Sequence, residues 1–177
     1  MTPELRNDTE PLLTLGPWVV KNMTLTREKV AMLWQMVQPF RTVFSDLTRG
    51  DAENFVHAIT HPASLWFEVW EDQMLVGIAW MTDINLVTDS SAHLLFFDRH
   101  PAEKRDVCMA LIKWVFRNYP LHRISAHVPH MYHATLRLVQ AMGFVPEGVK
   151  REAVLIRGSW VDIHMFGLTR SEVEAIP

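Results

Sequence analysis

Between Ser91 and Val128 the chain reads strand, helix, strand, and no other feature restricts the fold as much. "SAHLLFF" (Ser91–Phe97) is a short apolar run of strand type. "PAEKRDVCMALIKWVFRN" then sets Val107, Leu111, Trp114 and Val115 on one helical stripe, with Pro101 suited to a first turn. "HRISAHV" (His122–Val128) returns to a strand. Two strands joined through a helix lie parallel in one sheet, and the crossover is right-handed.

The flanking segments predict antiparallel pairs. "LWFEVWE" (Leu65–Glu71) alternates Trp66, Glu68 and Trp70 against Leu65, Phe67 and Val69. An Asp-Gln turn and "MLVGIAWMTDI" (Met74–Ile84) complete a hairpin. "REAVLI-RG-SWVDIHMFGL" predicts a second hairpin, around Arg157-Gly158. Earlier, "WVVKNM" (Trp18–Met23) is strand-like. Thr26 is placed to cap a helix that carries Val30, Leu33, Trp34 and Val37 and stops at Pro39. A further helix runs from about Asp51 to Ile59, and "YHATLRLVQAM" (Tyr132–Met142) is closed by Gly143. Residues 1–16, with Pro3, Pro11 and Gly16, read as an arm. Residues 17–177 then form one α/β domain of order β-α-α-β-β-β-α-β-α-β-β, a mixed sheet with helices packed on it.

Composition excludes several function classes. The net charge of -3, without a Lys/Arg block, argues against nucleic acid. The longest apolar runs are far too short to span a bilayer, so no membrane role is expected. The polar N-terminus "MTPELRNDTEP" is not a signal peptide, and a single Cys fits a reducing compartment; the cytoplasm is the expected location. Seven Trp, nine Phe and ten Met suit core filling first. The same inventory would also serve a homodimer or a protein partner through a Met/Trp-rich face.

Histidines invite a metal reading, which the spacing does not support. His127, His130 and His133 stand three apart, but Pro129 interrupts the strand and no acidic or Cys ligand accompanies them. His57 and His61 lack the glutamate of a His-Glu-x-x-His motif. Cys108 reads as a small buried residue on its helix, not a nucleophile.

With the segment "AMGFVPEGVKREAVLIRGSWVDIHMFGLTRSEV" added, the order of elements resembles the GNAT superfamily of N-acetyltransferases, in particular the ribosomal-protein N-terminal acetyltransferase branch. The resemblance rests on Gly143-Phe144, Glu147-Gly148, Arg151-Glu152, Asp162 and Phe166-Gly167-Leu168, preceded by "LHRISAHV". It implies that Ser91–Phe97 and His122–Val128 splay apart to admit the pantetheine arm of acetyl-CoA. Leu95, Phe96 and Phe97 would then line that arm. The pyrophosphate would rest on the start of the next helix, near Arg99, Lys104, Arg105, Asp106 and Val107.

This loop departs from the family pattern, because it has no glycine. Lys104, Arg105 and Asp106 read either as cofactor contacts or as a solvated first turn. The usual acid tyrosine falls on Val139, and the helix-entry motif falls on Tyr132 and Thr135. His93 is the candidate base, since an unperturbed imidazole titrates near ~6.5, and Glu68 is the second candidate. Two functions follow. One is acetyl-CoA-dependent N-acetylation of a protein N-terminus, a lysine or a small amine by direct transfer. The other is a non-catalytic binding or assembly module of the same fold, of a kind also found in bacteriophage genomes.

Overall fold

A computed structural model of the chain describes residues 10–43, 51–83, 88–97 and 104–176, with the backbone alone for 41–43. Strands β1 (Pro11–Leu15) and β2 (Trp18–Asn22) lead into helix α1 (Arg27–Val37), a 3-10 run (Gln38–Val43) and α2 (Ala52–Ile59). Strands β3 (Leu65–Glu71), β4 (Met74–Thr82) and β5 (Asp89–Phe96) follow. Then come α3 (Arg105–Asn118), β6 (Arg123–Pro129), α4 (His133–Ala141), β7 (Val145–Ile156), β8 (Ser159–Thr169) and α5 (Arg170–Ala175).

All eight strands form one sheet in the order β1-β2-β3-β4-β5-β6-β8-β7. Every neighbouring pair is antiparallel except β5 and β6, which are parallel and joined through α3, as the strand–helix–strand pattern requires. The strand period of two divides the core between the faces. Trp66, Ile78, Trp80 and Leu95 pack under α1 and α2 with Leu33, Val37, Phe55 and Ile59. Phe67, Val69 and Met81 pack on the other face with α3 and α4, against Val107, Leu111, Val115 and Leu138.

Local sequence explains most boundaries. Thr26 caps α1 by accepting from the Lys29 N–H at 3.2 Å, and Asp51 caps α2 through the N–H groups of Glu53 and Asn54. Gly143 takes φ +89° where α4 ends, which a side chain would resist, and Phe144 behind it is buried in the core. Arg157 and Gly158 both have positive φ, as a tight hairpin turn demands. Asp162 does more than alternate in β8: its carboxylate accepts from the N–H of Glu152, which sits at φ +48° in a bulge of β7.

Two expectations need correcting. The arm of residues 1–16 contains a strand, β1, whose Leu12 and Leu13 pack on the core; five residues led by Pro11 give too short an alternation to read. Residues 1–9 lie outside the described residues. The chain also ends in α5, signalled by a capping box: Thr169 accepts from the Glu172 N–H, and Glu172 accepts from the Thr169 N–H. The first residue of α5, Arg170, donates to the carbonyls of Phe116, Tyr119 and Leu121 and so closes the exposed end of α3. The aromatic and Met inventory is largely core. Trp18, Trp66 and Trp80 are buried, and Trp160 stands out at 64% exposed.

The β5–β6 ladder is short. Only Asp89, Ser90 and Ser91 pair with Arg123, Ile124 and Ser125, after which the strands part. A polar clasp holds this closed end. Ser125 Oγ donates to both carboxylate oxygens of Asp89 at 3.0 and 2.8 Å, and Arg123 Nη2 donates to Ser125 Oγ and to Glu147 Oε2 at 3.2 and 2.7 Å. Gly167 lies beneath the Arg123–Glu147 pair, and a Cβ there would collide with both partners. Ser125→Ala removes one side-chain link between the strands and leaves the Arg123–Asp89 pair. It is expected to cost roughly 1–2 kcal/mol and to lower Tm by about 2–8 °C, read by thermal denaturation; an unchanged Tm would show that the clasp is not what closes the ladder.

Candidate active site

Where β5 and β6 part, a cavity of about 970 Å³ passes between them. Its lining comes from both faces of the sheet. His57, Trp66, Trp80 and His93 contribute from the α1–α2 side, and Val107, Cys108, Leu111 and Leu138 from the α3–α4 side. Val154, Ile156 and Ile163 of the β7–β8 hairpin close one wall. Most of the lining is apolar, and the polar groups are few: the histidines, Asn54, Ser64, Thr82, Asp83, Ser91, Tyr132 and Thr135.

His93 lines this cavity. Cross-strand pairing puts Trp66, Trp80 and His93 in one row, and their rings stack: Trp66 on Trp80 at 4.8 Å and 9°, Trp80 on His93 at 5.0 Å and 7°. His93 Nε2 lies 3.0 Å from Thr82 Oγ1. Burial lowers the His93 pKa to about 4; His127, across the parting on β6, opposes the charge further, and Asp83 favours it. The expectation of a base that titrates near neutrality is therefore corrected: at neutral pH the ring is uncharged. Glu68 does not line the cavity. It sits under α1, ion-paired to Lys29, and accepts from Trp70 Nε1 at 2.9 Å. Its alternation was read correctly, but α1, remote in sequence, takes up the carboxylate.

The expected cofactor residues divide in the same way. Leu95 and Phe96 line the cavity; Phe97 packs on Phe40, with ring centroids 6.1 Å apart. Arg99 falls outside the described residues. Lys104 is not the solvated or rim residue that its charge suggested: it is 1% exposed, with Nζ 4.4 Å from the centre of the Phe96 ring. Burial lowers its pKa, against the attraction of Glu71 and Cys108. Arg105 reaches across to the Ala141 carbonyl at 2.8 Å and pairs with Asp106 at 3.0 Å. Val107 points into the core at 1% exposed. Cys108 is partly buried on the cavity wall, and desolvation there pushes its thiol up to about 12, so the thiolate is disfavoured at neutral pH.

Among the described residues, no three His, Cys, Asp or Glu side chains converge as a metal site. His130 and His164 instead share a hydrogen bond at 2.9 Å. Among the described residues, no helix is long and apolar enough to cross a membrane.

The acetyltransferase (GNAT) domain model matches residues 37–165, from the end of α1 to the middle of β8. The chain belongs to this family. No curated protein matches it. Among solved structures, the spermidine N-acetyltransferase of Vibrio cholerae in complex with CoA and spermine is similar at 18% identity and a TM-score of 0.73, over 88% of this chain and 98% of that one. The ribosomal-protein-S5-alanine acetyltransferase of Vibrio fischeri is similar at 15% identity and a TM-score of 0.69, over 90% and 97%. At these identities the likeness is one of fold.

GNAT domains use acetyl-CoA, and this GNAT domain has the features to receive it. Beyond Ser91 the edge of β5 that faces β6 has left its ladder, which frees strand backbone to bond an extended pantetheine arm. Lys104 stands at the N-cap of α3 and makes no side-chain cap hydrogen bond there, and a helix start is a place where backbone N–H groups can meet an anion. Gly77 matters here. A Cβ at this position would lie 2.6 Å from the Phe96 ring and 2.9 Å from the Leu95 carbonyl. Thr82 and Asp83, which the sequence reading missed, also stand on the cavity wall. Nothing in their spacing marks them, since Asp83 simply follows a strand.

Two outcomes are expected. Gly77→Ala should displace Phe96 and weaken acetyl-CoA binding at least about tenfold with a small loss of stability, as read by calorimetric titration. The unfolded chain protonates His93 below about 6.5, while the folded chain resists down to about 4. Stability carried by the neutral ring is thus complete above 6.5 and lost as pH falls toward 4, by at most about 3 kcal/mol. Urea denaturation from pH 7 to 4 should show this slope, reduced in His93→Gln; equal slopes would mean the ring is not sheltered.

Proposed function

We propose that the protein is an acetyl-CoA-dependent N-acetyltransferase that acts on an amine by direct transfer. The observation that supports it most is the cavity through the sheet at the parting of β5 and β6, with His93 on its wall. Acetyl-CoA supplies an activated acetyl thioester for attack by the amine. The β5 edge from Ala92 to Phe96 would hold the pantetheine arm, and the start of α3 the phosphates. Val107, Leu111 and Leu138 keep water from the reacting end.

His93 takes the proton that the amine loses. Its lowered pKa leaves it weak as a base but always unprotonated at neutral pH, and an uncharged ring does not repel an approaching ammonium. Tyr132, at the start of α4 on the cavity wall, is the residue we assign to protonate the departing thiolate. Its phenol replaces the acid tyrosine that Val139 cannot supply.

One observation supports the non-catalytic alternative. Of the cations expected near the phosphate, the two among the described residues are engaged elsewhere, Lys104 against Phe96 and Arg105 with Ala141 and Asp106. Calorimetric titration with acetyl-CoA separates the readings: micromolar binding is expected of an enzyme, and no heat at millimolar acetyl-CoA would establish a binding module. In the active case, His93→Ala should lower kcat at least about tenfold with little change in the KM for acetyl-CoA. The acid limb of kcat that belongs to this ring should fall near pH 4, below the usual histidine range.

A further inference from the structure

We propose that Thr82 and Asp83 form, with His93, a proton relay that leads from the cavity wall to solvent. The inference rests on the acetyltransferase reading above and adds two positioning residues to it. Three groups stand in line. His93 Nε2 is 3.0 Å from Thr82 Oγ1, and the same hydroxyl lies 3.5 Å, a long contact, from Asp83 Oδ2. An ionised carboxylate only accepts, so Thr82 spends its one proton on Asp83 and receives the Nε2–H of His93 on a lone pair. That arrangement leaves the Nδ1 lone pair as the acceptor. A proton taken at Nδ1 is matched by release from Nε2 to Thr82 and from Thr82 to Asp83. Asp83 is exposed and passes it to water. Exchange with solvent restores the starting tautomer.

The relay answers a need set by the site. Transfer to an amine that arrives as an ammonium forms the N–C bond and breaks the C–S bond. One of the three ammonium protons stays on the amide, one ends on the sulfur, and one must reach solvent. His93 is stacked against Trp80 in a sheltered wall and does not retain a proton at neutral pH. The titratable groups that bear on it are His127 from β6, whose protonation opposes the imidazolium, and Asp83 from the end of β4, which favours it.

The geometry is held by the sheet. Trp80 pairs with His93 and Thr82 with Ser91, so Thr82 is the diagonal neighbour of His93 on one face. Ser90 Oγ donates to the Thr82 carbonyl at 2.9 Å and fixes the backbone there. Asp83 adopts φ +55°, a left-handed conformation that Asp tolerates better than most side chains, and the carboxylate turns back beside Thr82.

The test uses Thr82→Val, Thr82→Ser and Asp83→Asn in the full chain. Turnover is read as thiol release from acetyl-CoA with benzylamine, spermidine and an alanine-initiated peptide as acceptors; the His93 ring is titrated by NMR. Thr82→Val and Asp83→Asn should each lower kcat about tenfold or more and leave the KM for acetyl-CoA unchanged, while Thr82→Ser restores the rate. The His93 titration should move to lower pH in Asp83→Asn, a change that loss of packing alone would not produce. Wild-type rates in Thr82→Val and Asp83→Asn would overturn the relay and leave the acetyltransferase reading intact. An unmoved His93 titration in Asp83→Asn would also overturn the relay. A wild-type chain that neither binds acetyl-CoA nor turns over would overturn both readings.

Discussion

The structure depends on one ladder that stops early. β5 and β6 begin as hydrogen-bonded parallel neighbours and then diverge, although both continue as strands. Strand backbone that leaves its ladder must find other partners, and unpaired groups without water are costly. The parting is therefore tolerable only where something else bonds the edge, and an extended ligand arm does this without a change of fold. The clasp of Asp89, Ser125, Arg123 and Glu147 keeps the opening at one end.

The two faces of the sheet have different work. On the α3–α4 face, aliphatic side chains make an apolar wall and the first turns of α3 stand beside the opening. On the α1–α2 face, the stacked Trp66, Trp80 and His93 carry a polar group to the same opening. Stacking and cross-strand register orient the imidazole more firmly than a surface position would. The same burial that fixes the ring also lowers its pKa. Rigidity and weak basicity therefore have one cause, and a proton that reaches this ring needs an exit.

Period and punctuation made the fold legible. The shift from alternation at Leu65–Glu71 to a helical stripe at Val107–Val115 and back identified the parallel pair, and Gly143 and Arg157-Gly158 marked the turns. What was hard to read was short or depended on remote partners. β1 has five residues and an initial proline. α5 has six, although its capping box was visible in Thr169 and Glu172.

For the site, sequence alone determined which residues stand on which strand and face, because a period of two allows no other arrangement once the core face is set. It placed His93 and Glu68 on neighbouring parts of one sheet, and the resemblance marked the start of α3 as the place for phosphate. Tertiary structure decided which of these groups remain available. Glu68 is taken by Lys29, 39 residues earlier, and Lys104 is folded onto Phe96. Cys108 is partly buried in the wall with its thiol protonated, and Thr82 and Asp83 are brought beside His93 across the β4–β5 pair. Charge, burial and hydrogen bonding are properties of neighbours in space. A chain specifies its neighbours only after it has folded, and so the chemistry of the site was settled there.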